Sequence, residues 1–502
     1  AGMVRRMTAL NRKLFRDLSH MKSQALAIAL VIGCGVAMLT MSMSTLRTMT
    51  SAMAAYYERY RFADIFAHLK RAPNSLEARL AEIPGVRSVQ TRVAVDVNLD
   101  IEGMDEPAEG HLISTRPGQR TALNDVHLRR GRLIEPGRSR EALVSEPFAE
   151  AHGLLPGDSI SAIINGKRDD LRIVGIVLSP EYIYQLRSGA VVPDDKRFGV
   201  FWMDYDDLAP AYDMDGAFND VSVSLYPGAS VQAVIAQIDR ILEPYGGVGA
   251  YARDDQQSHK YVSNEFNQLR IMSIIPPSIF FSVSAFLLNV VLSRIISTQR
   301  EQIAALKAFG YLGREIGWHY LKFVLIICLV GLVIGTIAGS WLGNDLARMY
   351  AKFFRFPSFD FVLHPGAVPL AFAVSAVPAM IGAIGSVRRA VGLPPGEAMR
   401  PEPPARYRPT IVERLGLQQL FTPAARMILR QLERRPGRAL LSVMGIAMAT
   451  AILVMGSFMQ DAVDFLLERE FFTTQRQDMT VSFVEPRSTA ALHEIRSLPG
   501  VL

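Results

Sequence analysis

Five long runs without Asp, Glu, Lys or Arg divide this chain, at residues 23–46, 271–293, 323–344, 361–387 and 439–460. Each can cross roughly 30 Å of hydrocarbon as a helix rising about 1.5 Å per residue. Soluble cores rarely hold five such runs, so the chain reads as an integral membrane protein and not as a bundle of buried soluble helices. The stretch around the fifth run also repeats the stretch around the first. A shift of 414 matches Arg16, Leu18, Ala25, Leu26, Ile32, Ala37, Leu39, Met41 and Asp64 to Arg430, Leu432, Ala439, Leu440, Ile446, Ala451, Leu453, Met455 and Asp478. One inserted residue later, Pro84-Gly85-Val86 meets Pro499-Gly500-Val501. This is the pattern of a parallel duplication whose second half begins near Pro423 and breaks off at Leu502, so a larger protein of which this is about two-thirds is expected.

Charge placement sets the expected orientation. Arg5, Arg6, Arg12, Lys13, Arg16 and Lys22 precede the first run, and residues 388–438 carry eleven arginines against four acids. By the positive-inside rule both segments are expected in the cytoplasm, with residues 47–270 and 345–360 outside and 294–322 inside. The net charge of +6 is therefore a topology signal, and no nucleic-acid partner is expected. The two cysteines, Cys34 and Cys328, both fall inside runs, so no disulfide framework supports the outer segment. Ala1-Gly2 before Met3 reads as an expression scar.

Beyond the first run, Leu46, Met49, Met53, Tyr56 and Tyr60 recur at helical spacing, and Tyr261, Val262, Phe266 and Leu269 form a similar stripe before the second. Two stalk helices that pair with each other are expected; the alternative is that each stripe packs on its own part of the outer domain. Between them lie about 200 residues of α/β sequence, enough for one substantial domain or two small ones. A helix near residues 75–81 leads into Val89, Thr91, Val93, Val95, Val97 and Leu99, which alternate as one half-buried strand. Another alternation at Val221, Val223 and Leu225 precedes a helix from Val231 to Ile241. The order predicts βαβ units on a small mixed sheet. An inserted β-rich subdomain is expected from about 124 to 213, with a hairpin turning at Asn165-Gly166. Glu181, Tyr182 and Tyr184 follow that hairpin on a polar, aromatic segment and are candidates for contact with a partner or substrate.

No phosphate-binding glycine loop, His-Glu-x-x-His, Cys-x-x-Cys or Gly-x-Ser-x-Gly occurs, and the nine histidines lack ligand spacing. No catalytic residue, metal site or cofactor is assigned, and the chain does not read as an enzyme by itself. Ion-coupled carriers usually keep ionisable groups near the bilayer midplane. The five runs offer only Asn289 as a clear polar candidate and His364 near one end, so the driving energy is expected from elsewhere.

The segment after the second run is the sharpest local feature. Residues 298–310 read as a short amphipathic helix closed by Gly310, with Ile303, Leu306 and Phe309 as its apolar face. The pattern Arg300-Glu301-x-Ile303-x-x-Leu306-Lys307-Ala308-x-Gly310, directly after a second span, resembles the coupling helix of FtsX/MacB-type ABC transporter permeases. The remaining layout is similar to that family: a basic amino end, one span, a large outer domain, three more spans, and an Arg-rich exit with Pro395, Glu397, Ala398, Met399 and Arg400. The segment from Arg140-Glu141-Ala142-Leu143-Val144-Ser145 to Gly157-Asp158 resembles the β-rich part of the family's outer domain.

The resemblance implies a polytopic helical protein with a MacB-like extracytoplasmic α/β domain on helical stalks, in a bacterial cytoplasmic (inner) membrane with its amino terminus inside. The expected boundaries are a basic segment at 1–24, TM1 and stalk at 25–62, the outer domain at 63–253, stalk and TM2 at 254–297, and the coupling helix at 298–317. TM3 at 318–345, TM4 at 361–387, an Arg-rich linker at 388–438, TM5 at 439–460 and the start of a second stalk and domain at 461–502 follow. Arg300, Glu301, Ile303, Leu306, Lys307 and Gly310 would then meet a separate ABC ATPase, with Pro395, Glu397, Met399 and Arg400 as a second contact. The alternative for the helix is an interfacial position on lipid. Two ATPase copies, carrying the ATP and Mg, would drive the outer domains through the stalks, by mechanotransmission, to export or extract a lipid, lipoprotein or other amphiphile. A duplicated chain would supply both halves as an eight-span pseudo-dimer. The competing expectation is a signalling scaffold whose movement activates an extracytoplasmic enzyme. An apolar cleft between the stalks would favour the first reading and a flat binding face on the subdomain the second.

Overall fold

The computed structural model describes residues 9–104, 108–118, 123–187, 190, 192–392, 422, 427–428, 436–469, 481 and 488–501. In chain order the first unit contains α1 (Ala9–His20), α2 (Lys22–Arg59), β1 (Ile65–Pro73), α3 (Leu76–Ala81), β2 (Val86–Arg92), β3 (Ala94–Asp100), β4 (Ala108–Thr115) and β5 (His127–Gly131). It continues through β6 (Glu141–Ser145), α4 (Glu146–His152), β7 (Ser159–Ile164), β8 (Lys167–Leu178), β9 (Phe198–Asp204), α5 (Tyr205–Ala211), β10 (Ala217–Leu225), α6 (Val231–Leu242) and β11 (Ala250–Ala252). The helices α7 (Gln257–Thr298), α8 (Arg300–Ala308), α9 (Gly313–Phe353) and α10 (Ala367–Gly392) complete it. A second unit, described by itself, holds α11 (Pro436–Glu468) and α12 (Ala490–Arg496). Five of these helices, α2, α7, α9, α10 and α11, are long and apolar enough to cross a membrane.

Glycine decides how the bundle closes. Gly331, Gly335, Gly339 and Gly343 recur every fourth residue of α9; the first three press on α2 and the fourth on the Phe361 ring. A methyl group at Gly335 would sit 2.5 Å from the Gly33 carbonyl oxygen, and one at Gly339 would sit 2.0 Å from Thr40 Oγ1. Small residues at this spacing bring two backbones close enough for dispersion forces alone to hold them, which matters where lipid removes the hydrophobic advantage. The α7–α10 pair adds hydrogen bonds to one such approach, where a methyl group at Gly382 would sit 2.7 Å from the Ala285 carbonyl oxygen. Ser386 donates to Asn289 Oδ1 at 2.9 Å, and the Ser293 and Ser386 hydroxyls share a bond of 2.7 Å. Asn289 is thus absorbed by helix packing.

The fourth span starts later than its apolar run. Residues 361–364 are non-helical and 365–366 form a turn, because Pro365 disfavours helix at His364. They lie along α2, where Ser44 Oγ accepts from the His364 N–H at 3.3 Å. The third span, by contrast, overshoots: α9 continues to Phe353, past the expected end at 345.

The outer domain has two sheets, and the boundary between them corrects two expectations. The first sheet has the order β11-β1-β10-β2, and each pairing is antiparallel, so it is not mixed. Two split βαβ units, β1-α3-β2 and β10-α6-β11, interleave, each straddling a strand of the other. The second sheet pairs β8–β6–β9–β4–β3–β7 and returns to β8, closing a barrel with β5 on its flank. The twelve-residue β8 makes this closure, pairing with β7 in its first half and with β5 and β6 in its second. The single strand expected across Val89 to Leu99 is therefore two strands, broken at Val93, and the barrel begins at Ala94, not near 124. Side-chain alternation persists across the break because both strands bury one face, β2 against α3 and α6 and β3 inside the barrel. The hairpin does turn at Asn165-Gly166, with φ of 44° and 79° as a two-residue hairpin loop requires.

In the second unit, α11 begins 414 residues after the start of α2, and α12 lies 414 residues beyond α3 at its first residue. Gly500 takes φ of 93° where Gly85 takes 98°.

Candidate functional site

The end of the bundle away from the outer domain is organised by one residue, Gln299. It caps the carboxyl end of α7 and opens α8, with φ of −95° and ψ of 19°, so two helices join across a single non-helical residue. Its side-chain Oε1 accepts from Lys13 Nζ at 2.7 Å and from the Tyr320 hydroxyl at 3.1 Å. Lys13 also pairs with Asp17 at 2.5 Å, and His319 Nε2 lies 3.9 Å from the same carboxylate. Burial alone would raise the Asp17 pKa, but His319, Lys13 and Gln299 together hold it down to about 2. Four elements, α1, α7, α8 and α9, are thereby tied beneath the spans. Sequence reasoning missed this cluster, because its members are distant in the chain and none belongs to a motif. The one available signal was an acid, Asp17, placed within an otherwise basic leader.

The α8 helix ends in a Schellman motif: the Tyr311 N–H reaches the Leu306 carbonyl at 3.1 Å and the Gly310 N–H the Lys307 carbonyl at 3.0 Å. Gly310 sits at φ of 89°, where a side chain would be strained. The expected apolar face is divided. Ile303 is 1% exposed and packs into the bundle with Leu306, whereas Phe309 is 84% exposed. Six residues at about 100° each place Phe309 well round the helix from Ile303, and it lies beyond the last helical turn. Ile303 therefore anchors α8 and is not available to a partner. Lys307 also turns inward: its ammonium donates to the Val391 carbonyl in the last turn of α10 at 2.7 Å, and burial lowers its pKa. Arg300 is half-buried. What projects is a ridge of Glu301, Gln302, Phe309, Leu312 and Trp318, the last two 58% and 51% exposed. Pro395, Glu397, Met399 and Arg400 lie outside the described residues.

At the other end, Met49, Tyr56 and Tyr60 of the first expected stripe and Phe266 and Leu269 of the second meet in one buried cluster, with Leu46 and Met53 at its edge. Tyr57 bonds His259 Nδ1 at 2.9 Å across the two helices. A third helix joins them: Tyr350 and Phe354 at the end of α9 enter the same cluster, and the Tyr350 hydroxyl bonds the Glu265 carboxylate. Tyr261 stacks on Tyr184, with ring centroids 5.0 Å apart. The strands that follow α2 and precede α7 are neighbours, with Ile65 opposite Ala252. Arg253 fastens this junction through the Ala63 carbonyl at 2.8 Å and Asp64 at 2.7 Å.

The expected partner contact at Glu181, Tyr182 and Tyr184 is corrected. The Glu181 carboxylate is forked onto Arg92 at 2.6 and 2.9 Å, and Arg92 also bonds Asp220 at 2.7 Å. Burial opposes the Arg92 charge, yet Asp220 and Glu181 push its pKa well up. Tyr182 packs edge-on to Trp202, and the Tyr184 ring lies between Tyr261 and Phe354. The segment is polar because it joins sheet, barrel and stalk.

Arg355, just beyond α9, reaches Glu150 at 2.8 Å and Glu146 at 3.8 Å on α4, and Arg129 donates to the Phe356 and Pro357 carbonyls at 2.9 Å. The barrel is thus clipped to the third helix. Between α2, α7 and α10, an apolar cleft of about 360 Å³ is lined by Leu39, Met43, Ile274, Pro277 and Leu370, with Arg47 at its rim.

Residues 25–241 match the MacB-like periplasmic core domain, and residues 274–395 match the FtsX-like permease C-terminal domain. No curated protein matches the chain. Among solved structures, the extracellular domain of the ABC-type transporter YknZ from Gram-positive bacteria is similar at 11% identity and a TM-score of 0.26, over 38% of this chain and 98% of that one. The periplasmic region of MacB from Actinobacillus actinomycetemcomitans is similar at 10% identity and a TM-score of 0.27, over 43% and 97%. A domain of a permease protein from Porphyromonas gingivalis gives 13% and 0.23, over 39% and 87%. These likenesses are too distant to carry detail onto the chain.

Proposed function

Because the chain is a permease of the FtsX/MacB type, and so a membrane subunit of an ABC transporter, we propose that it converts ATP hydrolysis by a separate ATPase into movement of its outer domain, and that the cargo is a lipid, lipoprotein or other amphiphile. The observation that carries this reading is the continuity of α8 with α7. Glu301 on α8 and Phe309 and Leu312 just beyond it project at one end, beside Trp318 of α9, and α7, joined to α8 through Gln299, runs 42 residues back toward the strand that leaves the outer domain. A push on the ridge reaches Gln299, tilts α7 and arrives at Arg253 without crossing a flexible loop. In this reading the α8 end faces the cytoplasm, the membrane is a bacterial inner membrane, and Glu301 and Phe309 are the principal ATPase contacts.

The apolar cleft at the outer ends of α2 and α7 supports an amphiphilic cargo. Its walls suit an acyl chain, and Arg47 at the rim suits an anionic head. The matched spacing of α2 and α3 with α11 and α12 supports a duplicated chain presenting two coupling surfaces, one for each of two ATPase copies.

The test is co-purification of the intact protein from its native membrane, with mass spectrometry of what accompanies it. An ABC ATPase should be recovered with the wild-type protein and lost with Glu301→Arg or Phe309→Asp. A folded protein that recovers no ATPase would sink the reading.

A further inference from the structure

The amino-terminal helix α1 turns its one acid, Asp17, inward between Lys13 and His319. Its outward charges are positive: Arg12, Arg16 and, at the start of α2, Lys22 are exposed, and none of the three has a carboxylate partner among the described residues. On the same side the helices open an apolar groove of about 440 Å³. Phe15, Ala25 and Leu26 form one wall and Ile326 and Val330 of α9 the other; Ser19 and Lys22 edge its mouth. Ala29 closes its inner end, where α2 and α9 come into contact at Gly331.

We propose that this groove is a binding site for an anionic phospholipid of the surrounding membrane, with one acyl chain between α2 and α9 and the phosphate at Lys22. Charge complementarity selects this occupant. A basic mouth free of exposed acid meets a phosphate of net negative charge, and the apolar walls continue toward the bilayer core from that mouth. From Lys22 to Ala29 the groove runs along about 10 Å of helix at about 1.5 Å per residue, a depth suited to the upper part of an acyl chain. A zwitterionic lipid fills the groove equally well but forgoes the field of Arg12, Arg16 and Lys22. The bound lipid braces α1 between α2 and α9 and so keeps Lys13 seated on Gln299. This site is independent of the ATPase reading.

The full chain in neutral detergent is examined by native mass spectrometry with phosphatidylglycerol or with phosphatidylcholine of the same acyl chains. One retained phosphatidylglycerol is expected, preferred about tenfold. Lys22→Glu should remove the preference, and Val330→Trp or Leu26→Trp should remove binding of both lipids. Circular dichroism confirms the fold of each variant. Equal binding of the two lipids, or unchanged phosphatidylglycerol binding by Lys22→Glu and by both tryptophan variants, would overturn the proposal. So would Leu26→Cys cross-linking to a second copy or another protein in native membranes, which would assign the groove to a protein.

Discussion

Two helix pairs in the bundle pack by different balances of the same means. In the α2–α9 pair, three glycines bring backbone against backbone, and the contacts that a single methyl group would make at 2.0–2.8 Å leave no room for the helices to shift. In the α7–α10 pair, one close approach, where a methyl group at Gly382 would sit 2.7 Å from the Ala285 carbonyl oxygen, is joined by a relay of one amide and two hydroxyls, Ser386 donating to Asn289 and sharing a bond with Ser293. Short hydroxyl bonds can exchange partners as helices slide, whereas close-packed backbones cannot. The α7 helix is also the one that carries Pro276-Pro277, which leaves the Met272 and Ser273 carbonyls without their usual helical donors. One pair is thus closed as a fixed frame, and the other contains the helix whose own backbone ladder is interrupted.

Gly339→Val strikes the fixed pair hardest, since its first carbon would already meet Thr40 Oγ1 and, at 2.6 Å, the Ala37 carbonyl oxygen. Overpacking of this kind costs about 1–3 kcal/mol, and more where backbone must move. A sharp fall in monodisperse yield and in thermal midpoint is expected, and a wild-type midpoint would refute the fixed frame. Asn289→Ala should cost about 1 kcal/mol, as interhelical hydrogen bonds in membranes usually do. Its fold and yield should survive; a loss as large as that of Gly339→Val would erase the distinction.

The smallest effect concerns the cluster that joins the two pairs. The Asp17 pKa is held at about 2 against an ordinary 3.8, so the carboxylate contributes stability that is present above 3.8 and lost as pH falls toward 2. The hydrogen-exchange protection of the α1 amides, measured relative to their intrinsic exchange rates at each pH, should fall over that window. Asp17→Asn should exchange faster at neutral pH and lose the acid-dependent step; an unchanged profile would remove Asp17 from the clamp.

Much of this was legible in the chain. The apolar runs located the spans, the Asn-Gly turn located the β7–β8 hairpin, and Gly310 located the end of α8. The glycine seam was equally readable at 331, 335, 339 and 343 but is invisible to a search for charge or periodic hydrophobicity, because its signal is small size. The break at Val93 was hidden because alternation records burial of one face and not which sheet supplies the cover. Glu181 looked available because a polar segment after a hairpin is usually solvated, and its partners, Arg92 and Gln256, lie far away in the sequence. On α8 the composition was right and the geometry was not: Ile303 serves the fold, and Phe309 is left for recognition.

The clip between Arg355 and the α4 carboxylates has a mechanical consequence. The outer domain stands on a tripod whose feet are the ends of α2, α9 and α7, joined to one another by the Tyr57–His259 and Tyr350–Glu265 bonds. Lifting one foot of a tripod does not translate its head; it tips it about the line joining the other two. Since α2 and α7 support the antiparallel sheet and α9 supports the barrel, any load that tipped one foot would fall on the contact between sheet and barrel. The Arg92, Glu181 and Asp220 side chains are the rivet at that joint.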